Sequence, residues 1–211
     1  SPHARRRFRT EMSTAPPILA STSPVRRALL AAAGVAVEAV APRVDEETLL
    51  AALAAEGATP RDIADTLAEQ KAARVAARFP DRFVIGADQV LDLDGAPLSK
   101  PRDLAEASER LRRLRGRSHR LQTAVVVHEG PRPVWRHLET ATLVMRDFSD
   151  ALLAEHLARA GAAATETPGA YRVEDFGIRL FSRIEGDHFA ILGLPLVPLL
   201  AYLALRGVIA P

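Results

Sequence analysis

A chain of 211 residues, 48% of them hydrophobic and 26% charged, is long enough to bury a core without covalent staples and too apolar for whole-chain disorder. It has no cysteine, which excludes disulfides, thiolate nucleophiles and cysteine-held zinc or iron. The formal net charge of +2 invites a nucleic-acid reading, but Arg5, Arg6, Arg7 and Arg9 against Glu11 put +3 on residues 1–11 and leave −1 for the rest, so no stable nucleic-acid partner is expected for the folded part.

Residues 1–17 lack apolar periodicity and end in Pro16-Pro17. They read as a disordered leader, with a basic nucleic-acid-binding arm as the alternative, ahead of a single domain over residues 18–211. No apolar run reaches the length of a membrane span and the leader lacks a secretory hydrophobic region, so the expectation is a soluble cytoplasmic protein. Ile18-Leu19-Ala20 reads as a strand, Ser21 to Pro24 as a turn, and Val25 to Ala33 as a helix closed by Gly34. Val35 to Val40 alternates like a second strand, Asp45-Glu46 falls in a Pro-flanked loop, and Thr59-Pro60 starts a helix running to about Arg78. Phe83 to Ala87 is a buried-strand run, and Asp94-Gly95 marks a hairpin whose register brings Gln89 opposite Lys100.

Farther along, Asp103 to Arg115 reads as a helix, Leu121 to Val127 and Val134 to Met145 as paired strands, and Ser149 to Ala160 as a capped helix. Ile178 to Ile184 and Phe189 to Leu192 read as a hairpin around Glu185-Gly186-Asp187, and Val197 to Leu205 as a terminal helix. Alternating strands and helices followed by strands paired through tight turns predict an α/β fold with a twisted, mixed sheet.

Three places carry candidate chemistry. Ser23 and Pro24 suit a helix start, yet Arg26 and Arg27 follow at the positive end of the helix dipole, where cations are unfavourable unless an anion binds. A plain cap and a phosphate site are both consistent with this. Asp88, in Gly86-Ala87-Asp88-Gln89, sits where a buried strand ends, as a turn cap or as a general base or metal ligand. Only Lys71 and Lys100 are lysines, against 26 arginines. The hairpin returns Lys100 beside Asp88. Lys71 falls inside the apolar arc of its helix, about 40° from Leu67 and Val75, and either snorkels or reaches an anion in a cleft. Asp45-Glu46 is a solvated loop pair or a source of oxygen ligands for Mg²⁺. The six histidines show no metal-ligand spacing, and Walker, dinucleotide and Gly-x-Ser-x-Gly signatures are absent.

From Ile18 onward, the opening motif Ile18 to Arg27 with Leu29-Leu30, Val44-Asp45-Glu46, Gly86-Ala87-Asp88-Gln89, Lys100-Pro101-Arg102-Asp103, Gly169-Ala170-Tyr171 and Gly193-Leu194-Pro195-Leu196 together resemble the Maf family. The resemblance implies an elongated α/β fold with two lobes around a cleft. It also implies a nucleoside triphosphate pyrophosphatase that cuts between the α and β phosphates with a divalent metal, Mg²⁺ or Mn²⁺, and a homodimer. Carried over residue by residue, Asp88 activates water, Ser23, Arg26, Lys71 and Lys100 hold phosphate, and Glu46 with Asp88 holds the metal.

Val25, Gln89 and Glu174 stand where the branches of the family differ in substrate specificity. The set resembles the branch that cleaves 7-methyl-GTP, although Val25 replaces a frequent tryptophan and removes a cation–π platform. A carboxylate at Glu174 suits a cationic methylated guanine better than a neutral pyrimidine. The alternatives are a broad-specificity or dTTP/UTP pyrophosphatase and a weakly catalytic nucleotide-binding regulator of cell division.

Overall fold

The computed structural model describes residues 14–211. The expected leader lies outside the described residues as far as residue 13. Its last two residues are tied to the folded part: Pro17 is buried and its carbonyl accepts from Glu38 N–H at 3.0 Å, and the exposed Pro16 accepts from Arg82 Nε at 3.0 Å through its carbonyl oxygen.

One mixed sheet organises the chain. Strand β1 (Ile18–Ala20) lies between β2 (Glu38–Ala39) and β3 (Phe83–Leu93), parallel to both. Beyond β3 come β5 (Ser118–Glu129), β6 (Arg132–Met145) and β7 (Phe181–Glu185), each antiparallel to its neighbour, while β4 (Ala96–Leu98) folds back on β3. Strand β5 occupies one edge of β3 from Phe83 to Asp92, so β1 and β4 must share the other. There β1 pairs Val84 to Gly86 and β4 pairs Leu91 to Leu93. Residues 87–90 between them face a split in the sheet, and Asp88 stands in it.

Helix α1 (Pro24–Ala32) follows β1, with Ser23 as N-cap accepting from Arg26 N–H and Gly34 at φ +75° beyond its end. Helix α3 (Pro60–Ala76) is capped by Thr59 and lies across β3 and β5. Its buried positions Ile63, Ala64, Leu67, Ala68, Lys71, Ala72 and Val75 repeat at helical spacing. Helix α5 (Asp150–Ala160) starts at its expected cap, Ser149, and helix α4 (Leu104–Leu114) starts one residue after the expected Asp103, which serves as its cap. The terminal helix α7 (Leu196–Leu205) is also found.

Four core clusters pack against the sheet, and the two largest mark the two lobes. One joins Leu19, Leu30, Ile85, Val125 and Val127 to Leu199 and Leu203. The other joins Leu91, Leu111, Leu143, Met145, Leu153 and Tyr171.

Six local expectations are corrected. Strand β3 runs unbroken from Phe83 to Leu93, so Asp88 stands in mid-strand and not at a strand end. Ile178 to Leu180 belong to a 3-10 helix, so the expected strand from Ile178 starts only at Phe181. Asp45-Glu46 is not in a loop: Asp45 caps helix α2 (Glu46–Ala55), accepting from Thr48 N–H at 3.1 Å, and Glu46 and Glu47 occupy the favourable acidic first turn. Phe189 to Leu192 is not a strand. It lies in helix α6 (His188–Leu192), capped by Asp187 and ended by Gly193 at φ +117°, because a short apolar run carries no period that separates helix from strand. Only Glu38 and Ala39 of the expected second strand pair. Strand β4 stops at Leu98, so the hairpin keeps its Leu93–Ala96 and Leu91–Leu98 register but never pairs Gln89 with Lys100.

His119 is 2% exposed, with Nε2 2.7 Å from Tyr171 Oη and a buried Nδ1 that has no hydrogen-bond partner. Burial pushes its pKa from the usual 6.5 down to about 4. The fold therefore holds the neutral ring while the unfolded chain takes a proton, so stability is complete above pH 6.5 and falls as pH drops toward 4, by about 3 kcal/mol over that window. Urea unfolding at pH 7 and pH 4.5 should show this loss in the wild type and much less of it in His119→Gln. Equal losses in both would assign the acid sensitivity elsewhere.

Candidate active site

The split in the sheet opens into a cleft of ≈ 380 Å³ lined from both lobes, by Ser21 to Arg26 and Gly193 on one side and by Glu166 to Gly169 and Tyr171 to Glu174 on the other. Every site residue expected from the sequence, namely Ser23, Val25, Arg26, Glu46, Lys71, Asp88, Gln89, Lys100 and Glu174, lines this cleft.

Lys71 is the centre of the charge cluster. Only 4% exposed, its Nζ lies 2.7 Å from Asp88 Oδ1, 2.7 Å from Glu46 Oε1 and 3.4 Å from Ala87 O. Three helices and strands supply these groups: α3 gives the lysine, β3 the aspartate and the first turn of α2 the glutamate. The partner of Asp88 is thus Lys71, where the hairpin register pointed to Lys100. Alternation along β3 explains the convergence, since Gly86, Asp88 and Val90 face α3 while Ile85, Ala87 and Gln89 face the other side. At Gly86 the helix comes so close that a Cβ would lie 2.2 Å from Ala68 O and 2.8 Å from Ala72 N.

Burial pushes the Asp88 carboxyl above the ordinary aspartate range, helped by Glu46 and opposed mainly by Lys71. Burial acts on Glu46 in the same sense, but Lys71, then Lys100 and Arg26, outweigh it and hold Glu46 below its usual value. Two carboxylates in one cleft are thereby set apart in basicity. Lys100 is exposed as a residue, but packing around its ammonium lowers its pKa, with Glu46 acting against that.

Arg26 is aimed by the C-terminal end of α6, donating from Nε to Gly193 O at 2.7 Å and from Nη1 to Ser21 Oγ at 3.4 Å. Ser23 Oγ accepts from Arg26 N–H at 3.3 Å, which leaves its hydroxyl proton to donate into the cleft. Gln89 spends its amide nitrogen on Thr123 Oγ1, Ala190 O and Ile191 O at 3.0–3.1 Å. It ties α6 to β3, so it sets the position of the Gly193 carbonyl that aims Arg26.

With Arg26, Lys71 and Lys100 against Glu46 and Asp88, the cluster suits a polyanion. The two carboxylates meeting at Lys71 offer hard oxygen ligands, and among the described residues no three His, Cys, Asp or Glu side chains form a metal cage. That donor set fits a Mg²⁺-type ion completed by phosphate oxygens and water.

Residues 16–205 match the family model described as Maf-like protein. The chain belongs to the Maf family. Relatives of this Maf protein include a nucleoside triphosphate pyrophosphatase of Caulobacter vibrioides, 52% identical over 196 residues covering 93% of this chain and 98% of the relative. A nucleoside triphosphate pyrophosphatase of Roseobacter denitrificans is 50% identical over 192 residues, 91% of this chain and 96% of the relative. A 7-methyl-GTP pyrophosphatase of Rhizobium meliloti is 50% identical with the same coverage.

Sequence reasoning missed two features, one on the wall of the Maf cleft and one behind it. One is an ion pair across the second lobe's wall between Arg172 and Glu166, whose partners are too short-range and too ordinary in sequence to signal anything. The other is Arg110, 8% exposed on the buried face of α4 with Ala107, Leu111 and Leu114. At about 100° per residue Arg110 falls about 40° outside the arc of Leu114, Ala107 and Leu111, so the angular test that singles out Lys71 passes it over.

Proposed function

We propose that the chain is a nucleoside triphosphate pyrophosphatase, a hydrolase that converts a nucleoside triphosphate and water into the monophosphate and pyrophosphate. The observation that carries this is Lys71 held between Asp88 and Glu46 in the sheet split, with Arg26 and Lys100 beside them. Asp88, with its basicity raised by burial, accepts the proton of the attacking water. Lys71, Lys100 and Arg26 meet the polyphosphate and gain contact as charge builds on it, and Ser23 donates its hydroxyl proton. A divalent cation, Mg²⁺ or Mn²⁺, held by Glu46 and Asp88 would neutralise charge on the phosphates. A panel of nucleoside triphosphates with pyrophosphate detection, with and without Mg²⁺ or Mn²⁺, tests this. No release from any member of the panel would reject it.

The cytoplasm is the compartment we assign, because the chain has no cysteine and no helix among the described residues is long and apolar enough to cross a membrane. A second copy of the chain is the protein partner we assign from the family resemblance, and light scattering at working concentration tests it.

For the base, we propose 7-methyl-GTP or a similarly cationic purine. Glu174 lies exposed on the cleft wall, where its charge favours a methylated, positively charged ring. Glu174→Gln keeps hydrogen-bonding capacity and removes that charge. The ratio of kcat/KM for 7-methyl-GTP over GTP should fall up to about fivefold, the worth of one exposed charge pair. Parallel changes on both substrates would show that Glu174 shapes the wall without reading the base.

A further inference from the structure

Lys100 and the wall that carries Glu174 belong to different segments, and among the described residues no backbone hydrogen bond outside the helices and strands joins residues 99–101 to residues 166–171. One buried guanidinium joins them instead. Arg110 Nη1 donates to Ser99 O at 2.7 Å and also to Pro168 O. Ser99 immediately precedes Lys100, and two residues on, Arg102 N–H donates to Glu106 Oε2 at 3.3 Å. Helix α4 therefore grips the backbone on both sides of Lys100, through Arg110 and Glu106, and Glu106 Oε1 lies 3.8 Å from Arg110 Nη2.

Pro168 is equally well placed to transmit a position. It leads into Gly169-Ala170-Tyr171, where Ala170 has φ +60°. That stretch is fixed by further contacts. Thr167 Oγ1 donates to Tyr171 O at 2.8 Å, His156 Nε2 donates to Ala170 O at 2.8 Å, and Tyr171 Oη meets His119. A wall braced this way moves as a block, and Arg110 fastens the block to the Lys100 loop.

We propose that Arg110 is a positioning residue for the pyrophosphatase reaction, fixing the separation between the phosphate-holding Lys100 loop and the wall that meets the nucleoside. The proposal rests on the reading of this cleft as a nucleoside triphosphate site. A substrate that spans both walls gains from their fixed spacing as two linked ligands gain from a matched linker, and a displacement of about 1 Å at a reacting centre can cost about 10²-fold. A ligand that touches only the phosphate end gains nothing from it.

The test compares the full-length wild type with Arg110→Met and Arg110→Lys, using kcat and KM for 7-methyl-GTP and GTP and the Kd of inorganic pyrophosphate with Mg²⁺. Arg110→Met is expected to lose about 10–100-fold in kcat/KM on nucleotides while pyrophosphate Kd stays within about twofold. Arg110→Lys, which keeps a charged donor on a different reach, should fall between the two. Nucleotide turnover unchanged in folded Arg110→Met would overturn the proposal. So would a turnover loss matched by an equal loss of pyrophosphate affinity, because Arg110 would then support only the Lys100 loop. If Arg110→Met does not fold, Arg110→Lys decides, with a loss of about threefold or more at unchanged pyrophosphate Kd in favour and no loss against. A wild type that cleaves no nucleotide would reject the pyrophosphatase reading itself, an outcome distinct from an active wild type with an indifferent variant.

Discussion

Asp88→Asn is expected to fold like the parent and to lose about 10²–10⁴-fold in kcat/KM, the usual worth of a positioned general base. The substitution is nearly isosteric, and an amide oxygen at Oδ1 can still accept from Lys71 Nζ, 2.7 Å away. Lys71 also keeps Glu46 at 2.7 Å, so the buried ammonium is not stranded without a counter-charge. Burial already opposes ionisation of Asp88, so removing that charge removes a desolvation cost along with an attraction. The melting temperature should therefore stay close to the parent's while pyrophosphate release disappears. Near-parental turnover in a pure sample would move the base to another group, with Glu46 first in line.

The site was legible in residue identity before it was legible in geometry. Lys71 stood out because a lysine inside an apolar helical arc needs a partner, and Asp88 because it follows the apolar run Phe83 to Ala87, although β3 continues through it to Leu93; the structure joins the two at one hydrogen bond. Their pairing was not readable, because it depends on α3 crossing β3 closely at Gly86, a packing between separate segments that no local pattern announces. Glu46 was noticed as a ligand, and its helix was overlooked for the same reason: an Asp-Glu pair before Thr48 serves equally as an oxygen donor set and as a cap with an acidic first turn. Phe189 to Leu192 failed differently, since four apolar residues fit either period and only the Asp187 cap and Gly193 end decide for a helix. The overall alternation of strands and helices survived these errors because the long β5–β6 hairpin and the capped helices α1, α3, α4 and α5 carry strong local signals.

Gly86→Ala is expected to cost both stability and turnover, although Gly86 touches no substrate. A β-carbon there would meet Ala68 O at 2.2 Å, Ala72 N at 2.8 Å and Ala72 Cβ at 2.9 Å. Two of these are backbone atoms of α3, which cannot swing aside as a long side chain can. The helix must lift away from β3, and overpacking of this kind typically costs about 1–3 kcal/mol. Lys71 lies between Ala68 and Ala72 on the same helix, so the displacement enters the 2.7 Å contacts to Asp88 and Glu46 directly. Met145→Ala, a cavity in the second lobe's cluster away from α3, should cost about 2–5 kcal/mol and provides the control. Measured at a low temperature where both variants are fully folded by circular dichroism, Met145→Ala should retain parental kcat/KM and Gly86→Ala should remain at least tenfold impaired, the order expected when reacting groups are misplaced by a fraction of an ångström to about 1 Å. If the two variants retain activity equally, the close approach at Gly86 serves packing alone, and the placement of Lys71 must be held by the ion pairs themselves.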